Sequence, residues 1–558
     1  MKMRRYGCLL LVVMLAPLAG GAQTNASPKV EKSAPGCHAE PPATKGTEAA
    51  QSILRGYGTG GFTIETDSPE AQEYFNNGMQ LAHAFAHKSA VAAFRRAQQL
   101  DPACAMCVWG EAWARGPSIN FTIGDDAQAE LVPLVDKAAA LAKNNPERER
   151  ALIAALEKRY KNGGGKGPGD QEYARAMDSL STRYPTDNEI AIMTADSWLI
   201  PASQENTRDH LDRVIQILEA ALQRSPNDIG VIHFYIHATE MDGVGAEALP
   251  YAERLAALAP AASHLVHMPS HVYFGLGRYH DAEQSNFAAV AIDNANAERL
   301  KPKGGVFGLN YHDHNVLYGE AASLLDGDVS GGMALARTEV QQLAVMQPDK
   351  PFQQFGLGSA YVVFGRYGSP TEVDALADPG AAMPYARAML HYARGEFAAR
   401  NRDVESVKIE ASAIRLGVDE ALKFQDSSSQ ASAMVDIARL VLVGRAAMLE
   451  KRWSDAEAAY RNAAEIQEAK LGTIMDPPAW WYPIRRSVAA ALLAAGNPGA
   501  AKVEATQALA AWSRDPQSLR VLAESERKLG ETEEGQKQIR LAQTNWSGSV
   551  EKLPLSLL

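Results

Sequence analysis

From Ser68 onward the apolar residues recur at roughly every third or fourth position, the period of an amphipathic helix, and the chain is expected to be almost wholly helical to its end. Before that point the pattern differs. Residues 23–66 are rich in Ala, Thr, Gly, Pro and Lys without any period, and read as a flexible leader. Earlier still, Lys2, Arg4 and Arg5 precede an apolar run from Leu9 to Leu18 and small residues ending at Ala22, which is the layout of a cleaved secretory signal peptide over residues 1–22 rather than of a membrane span. Two stretches rich in Gly and Pro, 161–169 and 366–384, interrupt the helical pattern. The second is expected to divide the helices into two lobes, 67–365 and 385–546, followed by a tail at 547–558.

Within the helical part the spacing of small and aromatic residues repeats. Gly78, Ala90, Phe94, Ala97 and Pro102 fall on the grid of the tetratricopeptide repeat, a helix–turn–helix unit of about 34 residues. Gly444, Ala456, Tyr460 and Ala463 fit the same grid, and weaker echoes lie around Ala501 and Gly530. The expected fold class is therefore all-α, a tetratricopeptide-type α-solenoid of stacked helix–turn–helix repeats without sheet. A chain of 558 residues with 46% hydrophobic residues exceeds what one compact core usually organises, and repetition is the usual solution.

The repeat also carries the chemistry. Eight of the 13 histidines lie between Val231 and Asn315, and His233 and His267, His237 and His271, and Pro226 and Pro260 are each 34 residues apart. His233, His237 and Glu240 are spaced i, i+4, i+7, and His264, His267 and His271 i, i+3, i+7, so each set lies along one helix face. In tetratricopeptide arrays the first helix of each pair lines the concave groove, and the repeat frame puts these residues, with Trp109 and Trp113, at groove positions. Imidazoles with a carboxylate suit zinc, copper, iron or nickel. The candidate ligands are His237, His267 and His271, completed by Glu240, His264 or His314, with His233 in the groove beside them. The competing readings are a metal-free scaffold that holds a protein or peptide in the groove, and a metal-dependent enzyme whose substrate the residues do not name.

Other motifs change the picture less. Cys104 and Cys107 form C-A-M-C, which can be a disulfide, a redox pair or part of a metal site; haem attachment is excluded because Val108 stands where a His is needed. Trp480, Trp481 and Tyr482 sit between prolines in D-P-P-A-W-W-Y-P, either as a ligand-stacking lip or as an aromatic plug between helices. The Gly-rich 161–169 lacks phosphate-loop spacing, and no G-x-S-x-G, H-E-x-x-H or dinucleotide fingerprint is present. Loss of the signal peptide takes the net charge from −11 to −14. Such an acidic chain is not expected to bind nucleic acid or to insert in membranes, and a periplasmic or secreted location follows from the leader.

Taken together, Y-F-N-N-G, A-F-A-H-K-S-A, C-A-M-C-V-W-G, Y-I-H-A-T-E, H-L-V-H-M-P-S-H-V-Y, G-R-Y-H-D-A and D-P-P-A-W-W-Y-P-I-R-R resemble a family of exported bacterial tetratricopeptide-repeat proteins across about residues 60–545. The resemblance implies the fold and export rather than an activity. Many members carry a His-rich stretch just before the first repeat, where this chain has G-T-G-G-F-T-I, so a ligand role for that segment is not carried over.

Overall fold

The structure is a computed structural model that describes residue 50 and residues 52–558, except 165–166, 206, 349–350, 415–427 and 473–477. The expected signal peptide, most of the leader, and Asp476 and Pro477 of the aromatic motif lie outside the described residues. Among those described there is no strand; Ser118 and Phe121 form an isolated bridge. Helix follows helix, and most consecutive helices pack on one another as in stacked hairpins. No described helix is long and apolar enough to cross a membrane.

The first hairpin shows why the repeat grid works. Ser68 caps the helix Pro69–His83 by accepting the Ala71 N–H, and Pro69 occupies the first turn, where its missing N–H costs nothing. The chain then turns into the helix His87–Leu100. Gly78 sits against the Phe94 ring, where an added Cβ would come within 2.6 Å of it, and Gly110 of the next helix, Ala105–Ala114, approaches the same ring as closely, at 2.5 Å. A small residue facing an aromatic therefore locks three successive helices. Gly444 and Tyr460 repeat the contact in the C-terminal half. The fold is a tetratricopeptide-like helical repeat.

Two large apolar clusters form the interior, one running from Tyr57 to Tyr311 and the other from Leu324 to Leu558. The segment 366–384, expected to separate two lobes, holds a short helix, Pro370–Asp374, stapled by a capping box between Ser369 and Glu372. The helices on either side of it, Pro351–Tyr367 and Pro384–Arg400, pack directly on one another within the second cluster. The tail 547–558 folds back on that cluster, and the Leu558 carbonyl accepts hydrogen bonds from Arg445 and Ser487.

Residues 52–66 were expected to belong to a mobile leader, yet they are pinned to the first helices. Leu54 and Asn77 exchange two hydrogen bonds of 3.0 and 2.8 Å, Ile64 N–H donates to Gln72, Glu65 N–H donates to Glu149, and Tyr57 is buried. Gly56, at φ 88°, passes so close to Ala261 that a Cβ would not fit. The absence of a helical period reflects an extended strap that satisfies its backbone through side chains, not disorder.

Candidate metal centre

Three segments bring the histidines together. The helix Ile229–Asp242 is capped by Asp228, whose carboxylate accepts the Gly230 and Val231 N–H groups, and it ends at Gly243 with φ 78°. It carries His233, His237 and Glu240 on successive turns. The next His-rich stretch is not one helix but two, Ser263–His267 and Pro269–Gly275, because Pro269 has no N–H to continue the ladder. The third segment, His312–Asp326, starts at Tyr311 with φ 73° and contributes His314.

The six imidazoles form two triads. In the first, the His233 Nε2 lies 3.1 Å from His264 Nε2 and 3.2 Å from His237 Nε2. In the second, the His267 Nε2 lies 2.9 Å from both His271 Nε2 and His314 Nε2. Each triad is an i, i+4 pair from one repeat plus one histidine from a later helix, and the paired residues are related by the 34-residue period. Nitrogens bound to one ion at about 2.0–2.1 Å stand roughly 3.3–3.6 Å apart, so both triads have nearly the spacing of a three-imidazole site.

Ring protons follow from the partners. His233 Nδ1 lies 2.7 Å from the His83 carbonyl, which can only accept, so the proton is on Nδ1 and the lone pair on Nε2. His267 Nδ1 donates to Asn286 Oδ1 at 2.6 Å, and Asn286 is held in that orientation because its amide donates to the Ala282 carbonyl. His271 Nδ1 donates to the Glu240 carboxylate at 2.9 and 3.0 Å. Such outer partners fix the tautomer and raise ligand basicity. Glu240 is thus placed behind a ligand rather than among the ligands.

None of the six rings is more than 4% exposed. They were expected to face an open groove, and this is corrected by what fills the space around them. Phe85, held at φ 55°, lays its ring 4.4 Å from His233 and 5.1 Å from His264. Tyr311 lies tilted against His264 at 4.2 Å, and Tyr318 lies 4.7 Å from His267. Burial lowers the imidazoles of His237, His264 and His267 well below their ordinary value and that of His233 to about 3, so the rings are neutral at physiological pH. His83 behaves oppositely. Burial opposes its charge, but the Glu189 carboxylate at 2.8 Å outweighs that and holds it above the ordinary value.

The remaining residues singled out from the sequence fall elsewhere. Trp109 and Trp113 stack in parallel, 5.7 Å apart, in the first apolar cluster. Trp480, Trp481 and Tyr482 are buried in the second cluster, where Arg486 lies over the Tyr482 ring at 4.2 Å; they pack as a plug and offer no stacking lip. Cys104 and Cys107 are joined in a disulfide with Cα atoms 5.4 Å apart. A third group, His280, Glu283 and Asp326, lies away from the triads, with His280 Nδ1 at 3.2 Å from Asp326 and its side chain 60% exposed. Burial pushes the Glu283 carboxyl up to about 9.

No family model and no curated protein matches the chain. Among solved structures, a human IFIT1 dimer with m7Gppp-AAAA aligns at a TM-score of 0.33 and 14% identity, covering 86% of this chain and 91% of that one. The APC/C hetero-tetramer Cut9–Hcn1 aligns at 0.30 and 14%, covering 83% and 78%.

Proposed function

We propose that the protein is an exported, metal-binding tetratricopeptide-like protein whose triads, His233, His237, His264 and His267, His271, His314, each hold a transition-metal ion. The observation that carries this reading is the contact between His267 and His271. Asn286 and Glu240 commit both Nδ1 protons outward, so two lone pairs face each other at 2.9 Å in a buried interior. That contact is repulsive unless a cation lies between them. Burial works against a proton on His267, and a metal ion between the two rings satisfies both lone pairs. Neutral imidazole ligands suit zinc, copper or iron.

Export is supported by the basic, apolar and small residues of positions 2–22 and by the Cys104–Cys107 disulfide, which an oxidising compartment preserves. The test is metal analysis of protein purified from a periplasmic fraction with no metal added, together with melting in the presence of a strong chelator. The expected result is a transition metal in stoichiometric amount and a melting temperature that falls with chelation. No metal and an unchanged melting curve would leave only a helical binding scaffold.

A further inference from the structure

The two triads are not independent in space. His237 of the first touches His271 of the second, with ring centroids 5.5 Å apart, and His264 lies 5.6 Å from His267 in a near-parallel stack. The two ligand sets are therefore in direct contact, and ions held in them would be neighbours. Resting on the metal-binding reading above, we infer that the triads form one dinuclear centre, that it takes two cuprous ions, and that its ligand is dioxygen.

The choice of ion follows from charge. All six ligands are imidazoles, which bring no negative charge to a bound ion, and the carboxylate bonded to one of them, Glu240, sits behind His271 rather than on the ions. Two divalent ions at this spacing repel each other about four times as strongly as two monovalent ions, and burial removes the water that would screen them. Three-coordinate imidazole sites satisfy cuprous copper without a fourth ligand, whereas zinc prefers four. The enclosure by Phe85, Tyr311 and Tyr318 then admits a diatomic molecule more readily than a large substrate.

The reaction with dioxygen balances without further reagents. Each cuprous ion gives up one electron, the O–O bond order falls from two to one, and a peroxide dianion forms between two cupric ions. No proton is consumed. Oxidation adds two positive charges to the pair and the dianion offsets both, which is the compensation that the imidazole ligand set does not itself supply.

The experiment loads the full chain with cuprous ion without air, removes excess, measures copper per chain, and then admits dioxygen while recording its uptake and the electron paramagnetic resonance signal. Two coppers per chain, uptake of one dioxygen, and a cupric signal integrating to far less than two spins are expected, because a bridged pair couples. The paired variants His233→Ala with His237→Ala, and His267→Ala with His271→Ala, should each retain at most one copper, with circular dichroism checking that they fold. One copper per chain in the parent, no dioxygen uptake, or two uncoupled cupric spins would overturn the inference. Tight zinc with copper refused would also overturn it while leaving the metal-binding reading intact, and no metal of any kind would overturn both.

Discussion

His271 donates its Nδ1 proton to Glu240, 31 residues earlier on the preceding repeat, at 2.9 and 3.0 Å to the two carboxylate oxygens. The bond crosses from one repeat to the next and places a negative charge behind a ring whose other nitrogen faces His267. That carboxylate, with the Tyr318 hydroxyl 3.2 Å from the same nitrogen, sets the orientation and tautomer of His271.

Replacing Glu240 with Gln removes the charge but keeps an acceptor, and Glu240→Ala removes both. Metal affinity is expected to fall by about 10-fold to 100-fold for the Ala variant and less for Gln, since outer partners of ligating histidines act at that scale. Competition with a chromogenic chelator measures it. Equal affinities in all three proteins would show that Glu240 does not support a ligand. Asn286→Ala should weaken the same triad for the same reason, because Asn286 fixes the tautomer of His267.

The pairing of His233 with His237 and of His267 with His271 was legible, because a helix repeats every ~3.6 residues and the fold repeats every ~34. The membership of the triads was not. His264 and His267 are on one turn yet serve different sites, because His264 meets His233 on the helix Ile229–Asp242 and His267 meets His314, 47 residues on. A local period says nothing about the partner across an interface. Nor could it reveal Phe85, whose positive φ turns its ring into the histidines, or Asn286, which reaches them from a helix without a motif. The Trp109 and Trp113 pair was legible as one helix face, but its burial depends on what packs over it.

Glu320 lies on the helix of His314 with its side chain buried, and burial pushes its carboxyl up to about 8 against a weaker downward pull from Ser359. The folded protein therefore holds a proton that the unfolded chain releases near its ordinary value of 4.5. Stability is expected to fall as pH rises through that window and to level off above about 8. Glu320→Gln removes the titration. The variant should match the parent near pH 4.5 and be more stable at pH 8.5, by on the order of 1–3 kcal/mol, in denaturant unfolding at the two pH values. A variant less stable than its parent at pH 8.5 would contradict the assignment.

Arg159 and Asp170 are both buried and paired at 2.8 Å, with the Tyr173 ring 4.9 Å from the guanidinium. Asp170→Ala leaves an uncompensated charge in the interior and should cost roughly 3–5 kcal/mol. Replacing both residues with Met and Leu should recover much of that loss. Urea unfolding of the three proteins tests it, and a double variant as unstable as Asp170→Ala would mean that packing, not charge, sets the cost.

Phe85 offers a test in which stability and access move in different directions. Its ring fills the space against His233 and His264, and Phe→Ala at such a site leaves a cavity costing about 3–5 kcal/mol, so Phe85→Ala should melt earlier whatever the histidines do. If the ring also seals the first triad, chelator should extract metal from the variant faster than from the parent at a temperature where both remain fully folded by circular dichroism. Phe85→Leu keeps most of the volume and should restore melting more than it restores the slow release, because a narrower side chain fills without covering both rings. Release rates that track melting temperature across the three proteins, rather than ring coverage, would show that metal leaves by unfolding and that Phe85 is only a packing residue.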